Sequence, residues 1–313
     1  MSKYRDALPQ LASEKIFLTD GGMETDLIFH HGVELPLFAS ITLFRDEDSP
    51  KLERDYFIEY INTARAGGYG FILESSNWRA SPGWLEQLGI AEAEFEPLNK
   101  RAIAFLADLR DEFEAPETPM VISACVGPRG DGYVVDNQMN AEEAEAYHSW
   151  QANIFADTDA DMITALTLNY VEEAIGIAHA ARAAGMPVVI GFTVETDGRL
   201  PSGQALGAAI EEIDAVTGNL PAYYMINCAH PDHFTSTLDA GGRWVERIKG
   251  LRANAARLSH AELDEAEALD DGDPAEMGAQ YAELRKRFPE LNVLGGCCGT
   301  DHRHVAAIAK ACI

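Results

Sequence analysis

The stretch from Asp161 to Val194 reads DMITALTLNYVEEAIGIAHAARAAGMPVVIGFTV. It holds an apolar run, then an amphipathic helical pattern closed by Gly185, then a second apolar run rich in β-branched residues. Two strands joined through a helix are parallel neighbours, because a parallel pair needs a crossover of about a dozen residues or more. The same unit recurs on both sides. KIFLTDGG (15–22) precedes the helical KLERDYFIEYINTARAGG, GFILESS (70–76) precedes FEPLNKRAIAFLADLRDEF, and PMVISACVGP (119–128) precedes AEEAEAYHSWQANIFADT. After the quoted stretch come ALGAAIEEIDAVTG, AYYMINC (222–228) with HFTSTLDAG, IKGLRAN (248–254) with MGAQYAELRKRF, and NVLGGCC (292–298) with HRHVAAIAKA. Gly67 to Gly70, Gly185 and Gly218 fall where helices must stop before the next strand.

Eight strand-then-helix units close naturally into a TIM barrel, and 313 residues suit a single domain of that kind. The rival is an open doubly wound sheet. Its G-x-G-x-x-G signature is missing after the first strand, where DGGMETDL supplies one glycine pair and no third. Between Asn254 and Asp273 the chain reads NAARLSHAELDEAEALDDGD, an acidic excursion after the seventh strand that reads as a surface insertion, a lid or an oligomer contact.

With 51 Asp and Glu against 24 Lys and Arg, the net charge of −27 repels phosphate backbones and anionic lipid surfaces. Nucleic acid and membrane partners are therefore not expected. No apolar run approaches a membrane span, and MSKYRDALPQLASEK lacks the apolar core of a secretory signal, so a cytoplasmic location is expected.

In a TIM barrel the chemistry sits at the C-terminal ends of the strands. The polar residues closing the apolar runs are Asp20, Glu74 with Ser75 and Ser76, Cys125, Asn227 with Cys228, and Cys297 with Cys298. Five cysteines in such a chain are not expected to form a disulfide framework, and adjacent residues make a poor disulfide pair. Three thiolates from the sixth and eighth strands suit zinc, with one coordination position left for substrate. Gly295 and Gly296 would let the chain turn so that both following cysteines face one ion. Buried packing of the cysteines is the alternative at this point.

GGCCGT with its later His, the INC ending the sixth strand, and the opening LTDGGMETDL together resemble the homocysteine S-methyltransferase family over about Phe17 to Val305. The resemblance implies a zinc-dependent TIM barrel that moves a methyl group to the sulfur of homocysteine, giving methionine. It implies Cys228, Cys297 and Cys298 as zinc ligands and Asp20, flanked by Gly21 and Gly22, as a substrate residue, with Asn227 in the same pocket. The donor would be S-methylmethionine, S-adenosylmethionine or a betaine-like compound, as in the small cobalamin-independent members. An oligomer is compatible with this reading.

Two positions depart from the pattern. Where the family carries a Glu that holds the amino group of homocysteine, this chain has Leu166, and the family's Y-P-N-x-G survives only as Asn254 in LRANA. Glu74 or Glu195 could replace the missing carboxylate. A methyltransferase acting on a thiol without an amino group, or a non-catalytic zinc-binding protein, are the alternatives. Trp78 and Phe38 could face a cationic donor. Cys125 and Cys312 read as buried packing and bystander, His304 as structural, Thr300 or Asp301 as a helix cap, and His230 and His233 as a weaker metal candidate.

Overall fold

The computed structural model describes residues 2–13, 15–45, 50–266 and 268–312. Its eight strands are β1 (Phe17–Leu18), β2 (Gly70–Glu74), β3 (Met120–Val126), β4 (Met162–Leu168), β5 (Val188–Phe192), β6 (Tyr223–Asn227), β7 (Ile248–Ala253) and β8 (Val293–Gly296). They pair in chain order and close into a barrel. All pairings are parallel, and Phe17 of β1 stands beside both Gly70 of β2 and Val293 of β8 at the seam. This is the single-domain TIM barrel expected from the repeated units.

Long helices follow the strands, among them Pro50–Gly67 after β1, Glu92–Phe113 after β2, Val171–Ala183 after β4 and His302–Ala311 after β8. Their ends obey local rules. Asn140 opens the helix Ala141–Ala156 by a reciprocal capping box with Glu143. Gly185 and Gly218 take left-handed φ values of 70° at helix ends, a conformation that costs other residues a Cβ clash.

Because both faces of a parallel barrel are covered, its strands are buried throughout and side chains alternate between two cores. Phe17, Ile72, Val121, Met162, Val189, Tyr223 and Val293 fill the barrel interior. Leu18, Phe71, Ile122, Ile163, Ile190 and Leu294 point outward to the helices. The interior is thus plugged, and the one end where loops are long is left to hold a site.

The segment after β7 carries the short helix His260–Asp264. Largely exposed, it also contributes Ala256, Leu258, Leu263, Asp264, Ala266, Ala268, Leu269 and Asp270 to the wall of a cavity over the strand ends. Among the described residues, no helix is long and apolar enough to cross a membrane.

Candidate active site

That cavity has a volume of about 570 Å³ and is lined by Cys228, Cys297 and Cys298 together with Asp20, Glu74 and Asn227. The three cysteine sulfurs lie within 4.8 Å of one another. β7 brings them together from either side. The Cys228 amide donates to Arg252 O at 3.0 Å, and the Cys297 amide donates to Ala253 O at 2.8 Å. Cys228 and Cys297 are joined as a disulfide, with Cα atoms 5.4 Å apart, while Cys298 is free. No disulfide framework was expected from the sequence, and this single bond was not anticipated: thiols gathered closely enough to share an ion are also within bonding reach of each other. The adjacent pair itself stays unbonded, as its short spacing dictates.

Cys228 and Thr167 both hold positive φ, 51° and 62°, where non-glycine residues are strained. Asn227 holds the two strand ends against that strain. It accepts from the Thr167 amide at 3.0 Å and donates to Thr167 Oγ1 at 2.8 Å, and Thr167 Oγ1 in turn donates to Cys228 Sγ at 3.6 Å. Asn227 lines the pocket, but both ends of its amide are spent on positioning.

The two glycines before the cysteine pair act differently from the expected turn. Gly295 and Gly296 lie in β8 without positive φ, and the left-handed residue is Gly299 at φ 80°. A Cβ on Gly295 would strike Thr19, and one on Gly296 would strike Thr300, so these positions are small because neighbouring chain packs against them. The turn comes after the cysteines, closed by the Thr300 amide and hydroxyl donating to Cys297 O at 3.1 and 2.7 Å. Gly22 is likewise pressed against the Cys297 carbonyl, and Gly21 against Thr300.

Asp20 sits at the end of β1 but is already engaged. Its carboxylate pairs with Arg252 Nη1 at 2.8 Å and accepts from Tyr56 at 3.1 Å. Arg252 also donates to Gly296 O and Gly21 O, both at 3.1 Å, and lies 3.7 Å from Glu74. Glu74 is buried, which pushes its carboxyl up to about 7, and its Oε1 has no hydrogen-bond partner. Glu195 does not line the cavity. It reaches His260 Nδ1 at 3.1 Å. Leu166 does line it, and its carbonyl accepts from the Trp78 indole at 3.1 Å.

Sequence reasoning missed three residues here. Arg252 had a signal, since a cation inside a buried strand demands a partner. Tyr133 and His260 had none, because both come from long loops. Tyr133 donates toward Cys298 Sγ at 3.9 Å, and its ring stacks on His260 with centroids 4.0 Å apart. Burial pushes the Cys298 thiol up to about 11, so at neutral pH it ionises only beside a cation. The cluster therefore fits a soft metal ion: three converging sulfurs, Cys228 buried and Cys297 and Cys298 half-buried, and among the described residues no fourth His, Asp or Glu within that distance of all three.

Trp78 and Phe38 both line the cavity, as does Cys125, which is buried. Cys312 lies apart, its carbonyl accepting from Arg285. His230 caps the helix Pro231–Asp239 by accepting from the Asp232 amide, and burial draws its pKa down to about 4. His233 meets Arg257 O at 3.0 Å, so neither histidine joins the thiols. Asp301 and His304 form a capping box at the start of the helix His302–Ala311.

A parallel eight-stranded barrel with a thiol cluster at the C-terminal ends of its strands defines a class of enzyme in which sulfur ligands serve chemistry. The model of the homocysteine S-methyltransferase family matches residues 17–312. The chain belongs to that family and is a methyltransferase. It is 23% identical over 320 residues to homocysteine S-methyltransferase 4 of Zea mays, covering 94% of this chain and 88% of that one. Crystal structures of the homocysteine methyltransferase MmuM from Escherichia coli share the fold. The metallated form has a TM-score of 0.75 at 20% identity, covering 97% of this chain and 98% of that one. The oxidized form has a TM-score of 0.74 at 19% identity, with 95% and 96% covered.

Proposed function

We propose that this protein transfers a methyl group from a sulfonium or quaternary ammonium donor to the sulfur of homocysteine, giving methionine, with zinc held by Cys228, Cys297 and Cys298. The observation carrying this reading is the convergence of three sulfurs within 4.8 Å in a deep cavity at the catalytic end of the barrel. When bound, zinc supplies the Lewis acidity that keeps an incoming thiol deprotonated at neutral pH.

The chain's own residues do the rest by placement. Asn227 and Thr167 hold Cys228 in its left-handed conformation, and Tyr133 offers a hydroxyl to Cys298. Glu74, with one oxygen unpartnered on the cavity wall, takes the ammonium of the acceptor in place of the carboxylate lost at Leu166. Asp20, held by Arg252 and Tyr56, adds negative potential beside Gly21 and Gly22. Leu258, Leu263 and Leu269 add apolar surface to the cavity wall, which favours a desolvated reacting sulfur once substrates fill it. A cationic donor leaves as a neutral molecule, so no general acid is needed.

A second reading, transfer to a thiol without an amino group, is favoured by Leu166 and by the commitment of Asp20 to Arg252. One experiment tests both. Reduced, zinc-loaded protein is assayed with S-methylmethionine, S-adenosylmethionine and betaine against homocysteine and a panel of amine-free thiols, beside Cys298→Ser. Turnover with homocysteine, lost together with zinc in the variant, is the expected result. Better turnover of an amine-free thiol selects the second reading, and no transfer to any thiol sinks both.

A further inference from the structure

Arg79 stands in the loop after β2 and lines the same cavity. Its guanidinium lies 4.8 Å from the centroid of Trp78 and 4.1 Å from that of Trp84, so two indoles pack against it. Nη1 donates to Leu37 O, whereas Nη2 reaches Asp131 only at 3.5 Å and Nε is buried without a hydrogen-bond partner. The Nε and Nη2 donors share one edge of the fork. A cation fixed by packing, 14% exposed, with that edge spare or loosely held, is built to receive a planar anion in two parallel bonds.

Two molecules must enter this cavity. The acceptor sulfur belongs at the cysteines and its amino group at Glu74, near the barrel axis. Arg79 instead hangs from the rim loops, bonded to Leu37 and paired with Asp131, and lines the same cavity as Cys298. A donor arriving from the mouth with its methyl group aimed at the cysteines would leave its far end at Arg79. We infer that Arg79 anchors the carboxylate that such donors carry beside their onium centre, and so orients the donor in the cavity. This rests on the methyl-transfer reading above. It also revises the role of Trp78, whose ring already supports a protein cation.

Arg79 is thereby a specificity residue, and its test is a ratio that general loosening of the loop would not move. Whichever of S-methylmethionine, S-adenosylmethionine and betaine is used fastest is compared with its own carboxamide in the wild type, Arg79→Gln and Arg79→Lys. The wild type is expected to prefer the carboxylate by roughly tenfold to a hundredfold in kcat/KM, the size of a lost charge-assisted pair. Arg79→Gln should bring the ratio close to one while the KM for homocysteine is unchanged, and Arg79→Lys should restore part of it. An unchanged ratio overturns the inference, as does a shift in the acceptor's KM in place of the donor's. Calorimetric binding of the same pairs separates the two readings. If the wild type binds the carboxylate more tightly and Arg79→Gln does not, yet nothing is turned over, only the transfer reading fails. Equal binding of acid and carboxamide, or none, removes the anchor itself.

Discussion

The carboxylate of Asp20 and the guanidinium of Arg252 form a buried ion pair at 2.8 Å in the cavity wall, joining the ends of β1 and β7. Arg252 also donates to the carbonyls of Gly21 and Gly296, so the pair fixes the chain on both sides of the cysteine turn. Breaking one partner strands the other charge in a site that water barely reaches. Arg252→Met is therefore expected to destabilise the fold by about 3 to 5 kcal/mol, and Asp20→Asn combined with Arg252→Met to recover part of that loss. Urea midpoints of the single and double variants measure it.

The disulfide between Cys228 and Cys297 occupies two of the three sulfurs assigned to the metal. A sulfur in a disulfide is not a thiolate ligand. Protein prepared without reductant is expected to bind little zinc, and reduction should release two further thiols in a denaturing thiol titration while raising bound zinc toward one per chain. Full zinc occupancy with the disulfide intact would contradict the assignment of those ligands.

Glu53 is fully buried against Ser76, which donates to it at 2.6 Å, and burial pushes its carboxyl up to about 8 from the usual 4.5. Between those values the folded state holds a proton that the unfolded chain has released, so stability must fall as pH rises from about 5 to 8. Glu74, raised to about 7, adds to the same decline. Glu53→Gln keeps a partner for Ser76 without the titration. Its urea midpoint should vary less across this window, by an amount on the order of a few kcal/mol in stability.

Leu166 faces the cavity from β4 where the family pattern has a carboxylate. Leu166→Glu is expected to lower the KM for homocysteine roughly tenfold relative to an amine-free thiol of equal length, the value of one ammonium–carboxylate bond. The side chain enters an apolar cluster with Cys125, Met162 and Trp78, so some stability will be lost as well. Kinetics with the two acceptors, normalised to zinc content, give the comparison.

All eight strands, and the polar residues that end five of them, were legible in the sequence, because a parallel strand covered on both faces is written as a continuous apolar run stopped by a polar residue. Asp20, Glu74, Asn227 and the three cysteines were found this way, and each lines the cavity. Glu195 followed the same logic and lies outside it, because the chain after β5 turns toward His260. The acidic run from Asn254 to Asp273 read as a surface insertion, a lid or an oligomer contact; most of it is exposed, and a few of its leucines and alanines line the cavity. Composition averages over a segment and does not record which of its side chains face a cavity.

The order of strands and helices, the barrel, and the set of thiols available for a metal were determined by the sequence itself, since they depend on local periodicity and on which residue ends each run. Partnership was decided only in three dimensions. That Arg252 neutralises Asp20, that Tyr133 reaches Cys298 across 165 residues, and that Asn227 spends its amide on Thr167 are facts of distance between segments far apart in the chain. The energies of charges and hydrogen bonds depend on separations of a few ångströms and on exclusion of water, neither of which periodicity along the chain records.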